Sequence, residues 1–473
     1  MKRIAIIGGG ISGLSAAYCL EKIRKGVAGI EYSLFEAAPR LGGVLVSERV
    51  DGCLVEAGPD SFLTEKPWAA QLCRELGLGD EIIGSNDAQR KTYIVVKNRL
   101  IEMPDGLMFM VPTKILPTVF TPLFSWGAKI RMARELLHPP KTHEGDESVA
   151  DMVRRHFGQE MVDRLADPLL SGVYGGDSAN LSARAVLPRF VELEKQYGSL
   201  SRGMLAARKK MAERMKGRPA QPLFSSLKNG MQQLVDALLA NLNLNTLHTG
   251  ASVERVSYGE ERWTLQVNGR SERFDGLIFA APAHAVAQLL RGAAPELAAE
   301  LGGISYSSSI TTTLIYDRAT LRGKDKGFGF LVPRTEGRRM LACTFVHNKF
   351  PHRAPEDRGI VRAFLGGLRD QSVLGLTDEE VLSTVTRELK EIAGIVGKPR
   401  DYRIYRWNRA MAQPAPGHLE RLGRIEQLRK RFSGLALAGN AYTGIGVPDC
   451  VRTGSEAANE VAREIVNVRT AVS

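Results

Sequence analysis

Three glycines, Gly8, Gly10 and Gly13, lie between a short apolar run at residues 4–7 and a stretch of helical periodicity reaching about residue 25. That spacing suits a strand, a tight turn and a helix start. Gly8 permits the turn, Gly10 lets backbone approach a pyrophosphate, and Gly13 allows the helix to pack closely on the strand. The intervening Gly9, Ile11 and Ser12 then sit where free N–H groups at the helix start face the phosphates. A second apolar run at 32–35 ends in Glu36 and Ala37, with Glu36 placed 23 residues beyond Gly13. An acidic residue at that distance accepts hydrogen bonds from a ribose hydroxyl. Strand, glycines, helix, strand and acid in this order predict a βαβ dinucleotide-binding unit.

The rest of the chain fits around that unit. Residues 44–50 and 53–57 flank Asp51-Gly52, a pair suited to a type I′ hairpin turn, and a helix is expected over 67–76. From about 85 to 215 the patterning is mostly helical. Apolar alternation returns at 252–257, 263–267, 273–274 and 277–280, with a turn at Asn268-Gly269, and again at 310–316, 328–332 and 360–365. A strand at 435–438 and a helix over 450–466 close the chain. The predicted fold class is α/β: a Rossmann-like dinucleotide domain (1–85, 240–290 and 405–473), an inserted helical domain (86–210), and an antiparallel-sheet substrate domain (211–239 and 291–404).

Charge and side-chain chemistry narrow the function. The excess of 64 Lys and Arg over 52 Asp and Glu, +12 in all, favours anionic partners. The basic residues are scattered and no aromatic-studded basic module accompanies them, so nucleic acid is not expected. Five separated cysteines, with no C-x-x-C pair, read as reduced packing thiols of a cytoplasmic protein. His347 and His352 lack acidic or cysteine companions, so no metal site is expected. The most apolar window, residues 107–126, carries Pro112, Pro117, Pro122 and Lys114 and cannot be one spanning helix. It could instead face the inner side of the cytoplasmic membrane, with Phe109 and Phe124 expected at the contact.

Beyond Glu36 stands Arg40-Leu41-Gly42-Gly43, where an arginine can reach a phosphate and two glycines let backbone pass a ligand. With Gly58-Pro59-Asp60-Ser61-Phe62 and the terminal Gly439-Asn440-Ala441-Tyr442 and Gly444-Ile445-Gly446-Val447-Pro448-Asp449-Cys450, this sequence resembles the bacterial protoporphyrinogen and coproporphyrinogen III oxidases of the flavin amine oxidase superfamily. Ser171-Gly172-Val173-Tyr174, the segment 327–333, Phe364-Leu365-Gly366-Gly367 and Arg406-Trp407 follow in family order. The likeness spans residues 4 to about 466.

The resemblance implies non-covalent FAD. Its contacts would be Gly8 to Gly13, Glu36, Ala37, Arg40, Gly42, Gly43, Gly58, Pro59, Asp60, Ser61, Gly439, Gly446, Val447, Pro448 and Asp449, with Val253 at the adenine and Trp407 along the flavin. It further implies a tetrapyrrole held between Leu331 and Phe364, with the Gly172 carbonyl facing the pyrrole nitrogens and Lys66 pairing a propionate. No dedicated catalytic acid or base is implied. Hydride would pass from a methylene bridge to flavin N5 in three rounds, molecular oxygen restoring the flavin and giving hydrogen peroxide. Haem-pathway enzymes would be its partners. Ala412-Gln413-Pro414 departs from the family's Pro-Gln-Tyr, and Leu63 or Lys66 occupies the region where eukaryotic relatives place a propionate-binding arginine. An amine oxidase, a carotenoid desaturase and a non-catalytic FAD- and tetrapyrrole-binding scaffold remain the alternatives.

Overall fold

In the computed structural model, residues 1–26, 29–108, 110–139, 145–214 and 221–466 are described. Alternation along the strand Lys2–Ile7 sends Ile4 and Ile6 to one face of a sheet and Ala5 and Ile7 to the other. This strand lies at the centre of a five-stranded parallel sheet ordered Leu247–Thr249, Ile30–Glu36, Lys2–Ile7, Gly276–Phe279 and Leu435–Leu437. The central strands are apolar and buried over Ile4–Ile7 and Gly276–Phe279, as a parallel sheet covered on both faces requires.

One face is covered by the helices Ile11–Gly26 and Val447–Val466, which meet closely because Gly454 has no side chain: a Cβ there would lie 2.1 Å from the Ser12 carbonyl oxygen. The other carries the meander Val253–Gly259, Arg262–Val267 and Arg270–Phe274, whose fully buried Trp263 and Phe274 pack on Leu277 and Phe279. Both expected turns form. Asp51 and Gly52, and Asn268 and Gly269, all have positive φ, the type I′ signature.

A second, seven-stranded sheet runs in the order Asp401–Gln413, Ser305–Asp317, Arg358–Gly366, Met340–Phe345, Gly329–Leu331, Thr92–Val96 and Arg99–Glu102. All neighbours are antiparallel except Gly329–Leu331 with Thr92–Val96. Its back is closed by the helix Asp378–Ala393, through Val381, Val385, Leu389 and Ile392. That helix begins with a capping box between Thr377 and Glu380 and ends at Gly394 in the left-handed conformation.

Two segments differ from the sequence reading. Residues 92–102, expected in the helical region, form the edge hairpin of this large sheet, because Tyr93 and Val95 find their burial against Phe330 and Phe345. The segment 224–240, expected on the substrate side, supplies a strand and a helix whose Leu227, Met231, Leu234, Val235 and Leu238 complete the core of the parallel-sheet half. The helical region proper gathers Met152, Val153, Phe157, Leu165 and Leu200 into a separate core. Within it, the chain widens into a π-helical turn at Val162–Ala166 directly before Pro168, which cannot donate a helix hydrogen bond, and then continues as the helix Asp167–Tyr174.

Candidate active site

The first glycine turn is built as its spacing predicts. A Cβ on Gly8 would lie 2.5 Å from the Ala280 oxygen, and one on Gly13 would lie 1.9 Å from the Gly8 oxygen, so both are closed by neighbouring backbone. Gly10 has no atom within 4 Å of its Cβ position, and the same holds for Gly439, whose φ is +127°. These two glycines open onto free space at the ends of the strands Lys2–Ile7 and Leu435–Leu437, which flank Gly276–Phe279. Gly43, with φ of +57°, brings its own Cβ position within 3.1 Å of the Gly10 Cα, while the Gly42 amide donates to the Gly9 oxygen at 2.8 Å. The arginine-glycine loop therefore closes over the glycine turn.

Glu36 accepts hydrogen bonds from the Gly9 amide at 2.6 Å and the Ala38 amide at 2.8 Å. Each carboxylate oxygen keeps a second lone pair for a ribose hydroxyl. Ala37 lies in the turn between them. Beside it, the Ala251 and Gly250 amides donate to the Glu36 and Ala38 oxygens at 2.9 and 3.0 Å, which sets the start of the Val253 strand next to the acid. Arg40, expected on a phosphate, donates instead to the Leu41 oxygen at 2.9 Å and to the Gly43 oxygen, bracing its own loop.

At the carboxyl end, Gly446, Val447 and Pro448 lead into the last helix, with Asp449 in its first turn. Asp449 accepts from the Gly446 amide at 3.2 Å and from Lys66 Nζ at 2.6 Å. Lys66, expected on a substrate propionate, is also an ion-pair partner that fastens the start of the helix Pro67–Glu75 to this segment. Leu63, the other residue of that region, is 39% exposed. Cys450 is buried, and burial pushes its thiol up to about 11. It is therefore a neutral packing group at physiological pH and not a thiolate nucleophile.

The remaining expected residues lie on the face of the large sheet away from the helix Asp378–Ala393. Leu331 pairs with Ala342, Ala342 with Phe364, Phe364 with Thr311, and Thr311 with Tyr405. Directly paired residues point to the same face, so the row presents Leu331, Ala342, Phe364, Thr311 and Tyr405 side by side. Gly172 faces it: a Cβ there would meet Leu331 at 3.2 Å and Ala342 at 4.0 Å. The helix bearing Gly172 is held in that position at its end. The Tyr174 oxygen accepts from Gln413 Nε2 at 2.8 Å and from Ser307 Oγ at 3.3 Å, and the Leu368 amide donates to the Gly175 oxygen at 2.9 Å. Gln413 thus keeps a positioning contact although its neighbours depart from the family pattern. Burial pushes the Tyr174 phenol up to about 12, so it is no base near neutrality.

Trp407 stands two residues along the strand from Tyr405 and donates its indole N–H to the Ala57 oxygen at 3.2 Å, joining the sheet to the Gly58-Pro59 segment. Gly58 itself could bear no side chain, since its Cβ would lie 2.1 Å from the Val44 oxygen. The side chains of Asp60 and Ser61 turn away to Lys349, whose ammonium lies 3.0 and 3.2 Å from the two Asp60 oxygens and 2.9 Å from Ser61 Oγ. What this segment offers a ligand is therefore backbone.

Sequence reasoning missed the charged group beneath it: Glu56, Asp60, Lys349, Arg353 and Arg362. Burial opposes ionisation of Asp60, but Lys349, Arg362 and Arg353 outweigh it and hold the carboxyl well below the usual range. The one available signal was Arg362, which shares the face of Phe364 by strand alternation. Among the described residues, no group of three or more His, Cys, Asp or Glu could hold a metal ion.

The model of the flavin-containing amine oxidoreductase family matches residues 11–462. The chain is 34% identical to the coproporphyrinogen III oxidase of Bacillus subtilis, covering 97% of both chains. It is 31% identical to that of Staphylococcus aureus, covering 98% of this chain and 100% of the relative. The crystal structure of a candidate protoporphyrinogen oxidase from Exiguobacterium superposes with a TM-score of 0.85 at 30% identity, over 97% of this chain and 98% of that one. With glycine cradle, acid and carboxyl-terminal segment all assembled around one open path, the chain belongs to the flavin-containing amine oxidoreductases, in the branch of the bacterial porphyrinogen oxidases, and its cofactor is FAD.

Proposed function

We propose that this protein oxidises a porphyrinogen to the porphyrin in haem biosynthesis, with coproporphyrinogen III preferred and molecular oxygen as the final acceptor, reduced to hydrogen peroxide. The observation that carries this reading is the row Leu331, Ala342 and Phe364 on one face of the large sheet, with Gly172 packed against its Leu331 end. A rigid macrocycle suits an apolar sheet face bordered by a helix that is bare of side chain at its nearest point. The names of the relatives support the same substrate class.

Bound FAD supplies the hydride-accepting ring. Its pyrophosphate would lie over Gly8 to Gly13, including Ile11 and Ser12, with Arg40, Gly42 and Gly43 closing above it. Glu36 and Ala37 would hold the ribose, Val253 the adenine, and Gly58, Pro59, Trp407, Gly439 and Gly446 to Asp449 the flavin. Leu331 and Phe364 would clamp the tetrapyrrole, and the Gly172 carbonyl would receive its pyrrole N–H groups. Catalysis then comes from orientation and exclusion of water, with no side chain acting as general base.

The described residues contain no helix long and apolar enough to cross a membrane. Peripheral contact with the inner face of the cytoplasmic membrane is the reading we favour for the exposed Leu116, Phe120, Trp126, Ile130 and Leu137. Phe124, expected there from sequence, is 3% exposed and packs inside the helical core, while Phe109 lies outside the described residues. An apolar product leaving at such a surface would pass to later enzymes of the haem pathway.

The test is porphyrin fluorescence in air, with coproporphyrinogen III and protoporphyrinogen IX side by side against an enzyme-free control. Faster rise with the former, and peroxide released in proportion, is the expected result. No acceleration with FAD fully bound would refute the reading and direct attention to amines.

A further inference from the structure

The five-residue charged cluster is not used by the mechanism above, yet it touches both of its walls. Its side chains are 12% exposed or less, and Arg353 is fully buried. Arg353 reaches Glu56 at 3.0 Å, Lys349 reaches Asp60 at 3.0 Å, and Arg362 stands 3.9 Å from Asp60. Ser47 Oγ and the Met231 amide complete Glu56 at 2.6 and 2.8 Å. Three cations face two carboxylates, so the cluster holds one positive charge without a counter-charge. Burial presses Lys349 and Glu56 alike toward their neutral forms, and if both lose charge together the excess is still one.

The excess rests on Arg362. Lys349 and Arg353 each have a carboxylate within 3.0 Å, whereas the Arg362 guanidinium donates to the carbonyl oxygens of Ala57 and Gly58. Its Nε has no hydrogen-bond partner among the described residues. The Ala57 oxygen also accepts the Trp407 indole, and the Arg362 guanidinium lies 5.0 Å from the Phe364 ring centre. Arg362 therefore stands where the flavin wall and the substrate clamp meet. An unpaired charge is costly to bury, which makes a compensating negative charge nearby favourable. Hydride uptake brings two electrons and one proton to the flavin ring and leaves it with one negative charge.

We propose that Arg362 is a positioning and electrostatic residue for the flavin: it props the Ala57–Gly58 wall and places the cluster's unpaired positive charge where it favours the reduced, anionic cofactor. This rests on the FAD site assigned above. The experiment is a reductive titration of the FAD-loaded protein against reference dyes, comparing the wild type with Arg362→Gln, Arg362→Lys and Glu56→Gln. The expected result in Arg362→Gln is a fall of about tenfold in the equilibrium constant for flavin reduction, which lowers the potential by about 30 mV for a two-electron couple. Arg362→Lys should stay near the wild type, and Glu56→Gln, which can only remove negative charge, should leave the potential unchanged or raise it. An unchanged potential in Arg362→Gln with flavin bound, or shifts of the same sign in Arg362→Gln and Glu56→Gln, would overturn the proposal. Absence of bound FAD from the wild-type protein would instead strike the site assignment on which it rests.

Discussion

At the scale of single residues, the glycines divide by what surrounds them. Gly13 is closed by backbone and Gly10 opens onto the ligand path, so the same substitution has opposite meanings at the two positions. Gly13→Ala forces the helix Ile11–Gly26 off its strand and should cost about 1–3 kcal/mol, the usual range for overpacking. Gly10→Ala should leave urea unfolding of the cofactor-free protein unchanged while weakening FAD binding about tenfold or more, as fluorescence titration would record. Lys66 marks the limit of reading a residue by its chemistry alone. A lysine at that position suits a propionate, but its ammonium also pairs with Asp449, a partner 383 residues away that no local pattern announces.

Among the elements, the helical region is braced around His156, which is fully buried between Glu135 at 2.9 Å and Glu194 at 3.0 Å. Burial disfavours the imidazolium, but hydrogen bonds to the two carboxylates outweigh it and raise the His156 pKa. A raised folded-state value means that the brace contributes fully below about pH 6.5, the unfolded value, and is lost as pH rises through the folded one. Glu194, lowered to about 2, keeps its contribution above its ordinary range and loses it only in strong acid. Chemical denaturation across pH 5 to 10 should show stability declining on the alkaline side, and His156→Leu, which leaves the buried Glu135 without its cation while Glu194 keeps Arg155, should cost about 3–5 kcal/mol and flatten that decline. The same region carries the exposed apolar face. Phe120→Ser with Trp126→Ser should reduce sedimentation with anionic liposomes several-fold while FAD content stays unchanged; undiminished sedimentation would remove the case for membrane contact.

For the whole molecule, the decisive fact is that the cofactor path is walled by segments from both ends and the middle of the chain. The Ala57–Gly58 segment and Trp407, some 350 residues apart, meet only because the large sheet is joined to that segment there. FAD should therefore stabilise the protein as a unit, raising its thermal midpoint with cofactor concentration. Because the Cys450 thiol is buried and neutral, heat or acid denaturation should release all of the flavin into the supernatant. Flavin retained on the precipitated chain would contradict this. The parts readable beforehand were those written in local periods: the βαβ unit, the type I′ turn at Asp51-Gly52 and the turn at Asn268-Gly269, the carboxyl-terminal helix, and the positions of the first glycines and of Glu36. The family resemblance named Leu331 and Phe364 together, though not their alignment in one row. What only the tertiary structure decided were matters of distant partnership. Residues 92–102 became strands because the edge of the large sheet could bury Tyr93 and Val95, Phe124 went inward because the helical core had room for it, and five charged residues spread over some three hundred positions became one cluster. Periodicity records how a segment presents its faces; which surface a face meets, and which charge an ion finds, depends on packing between segments that the local sequence does not encode.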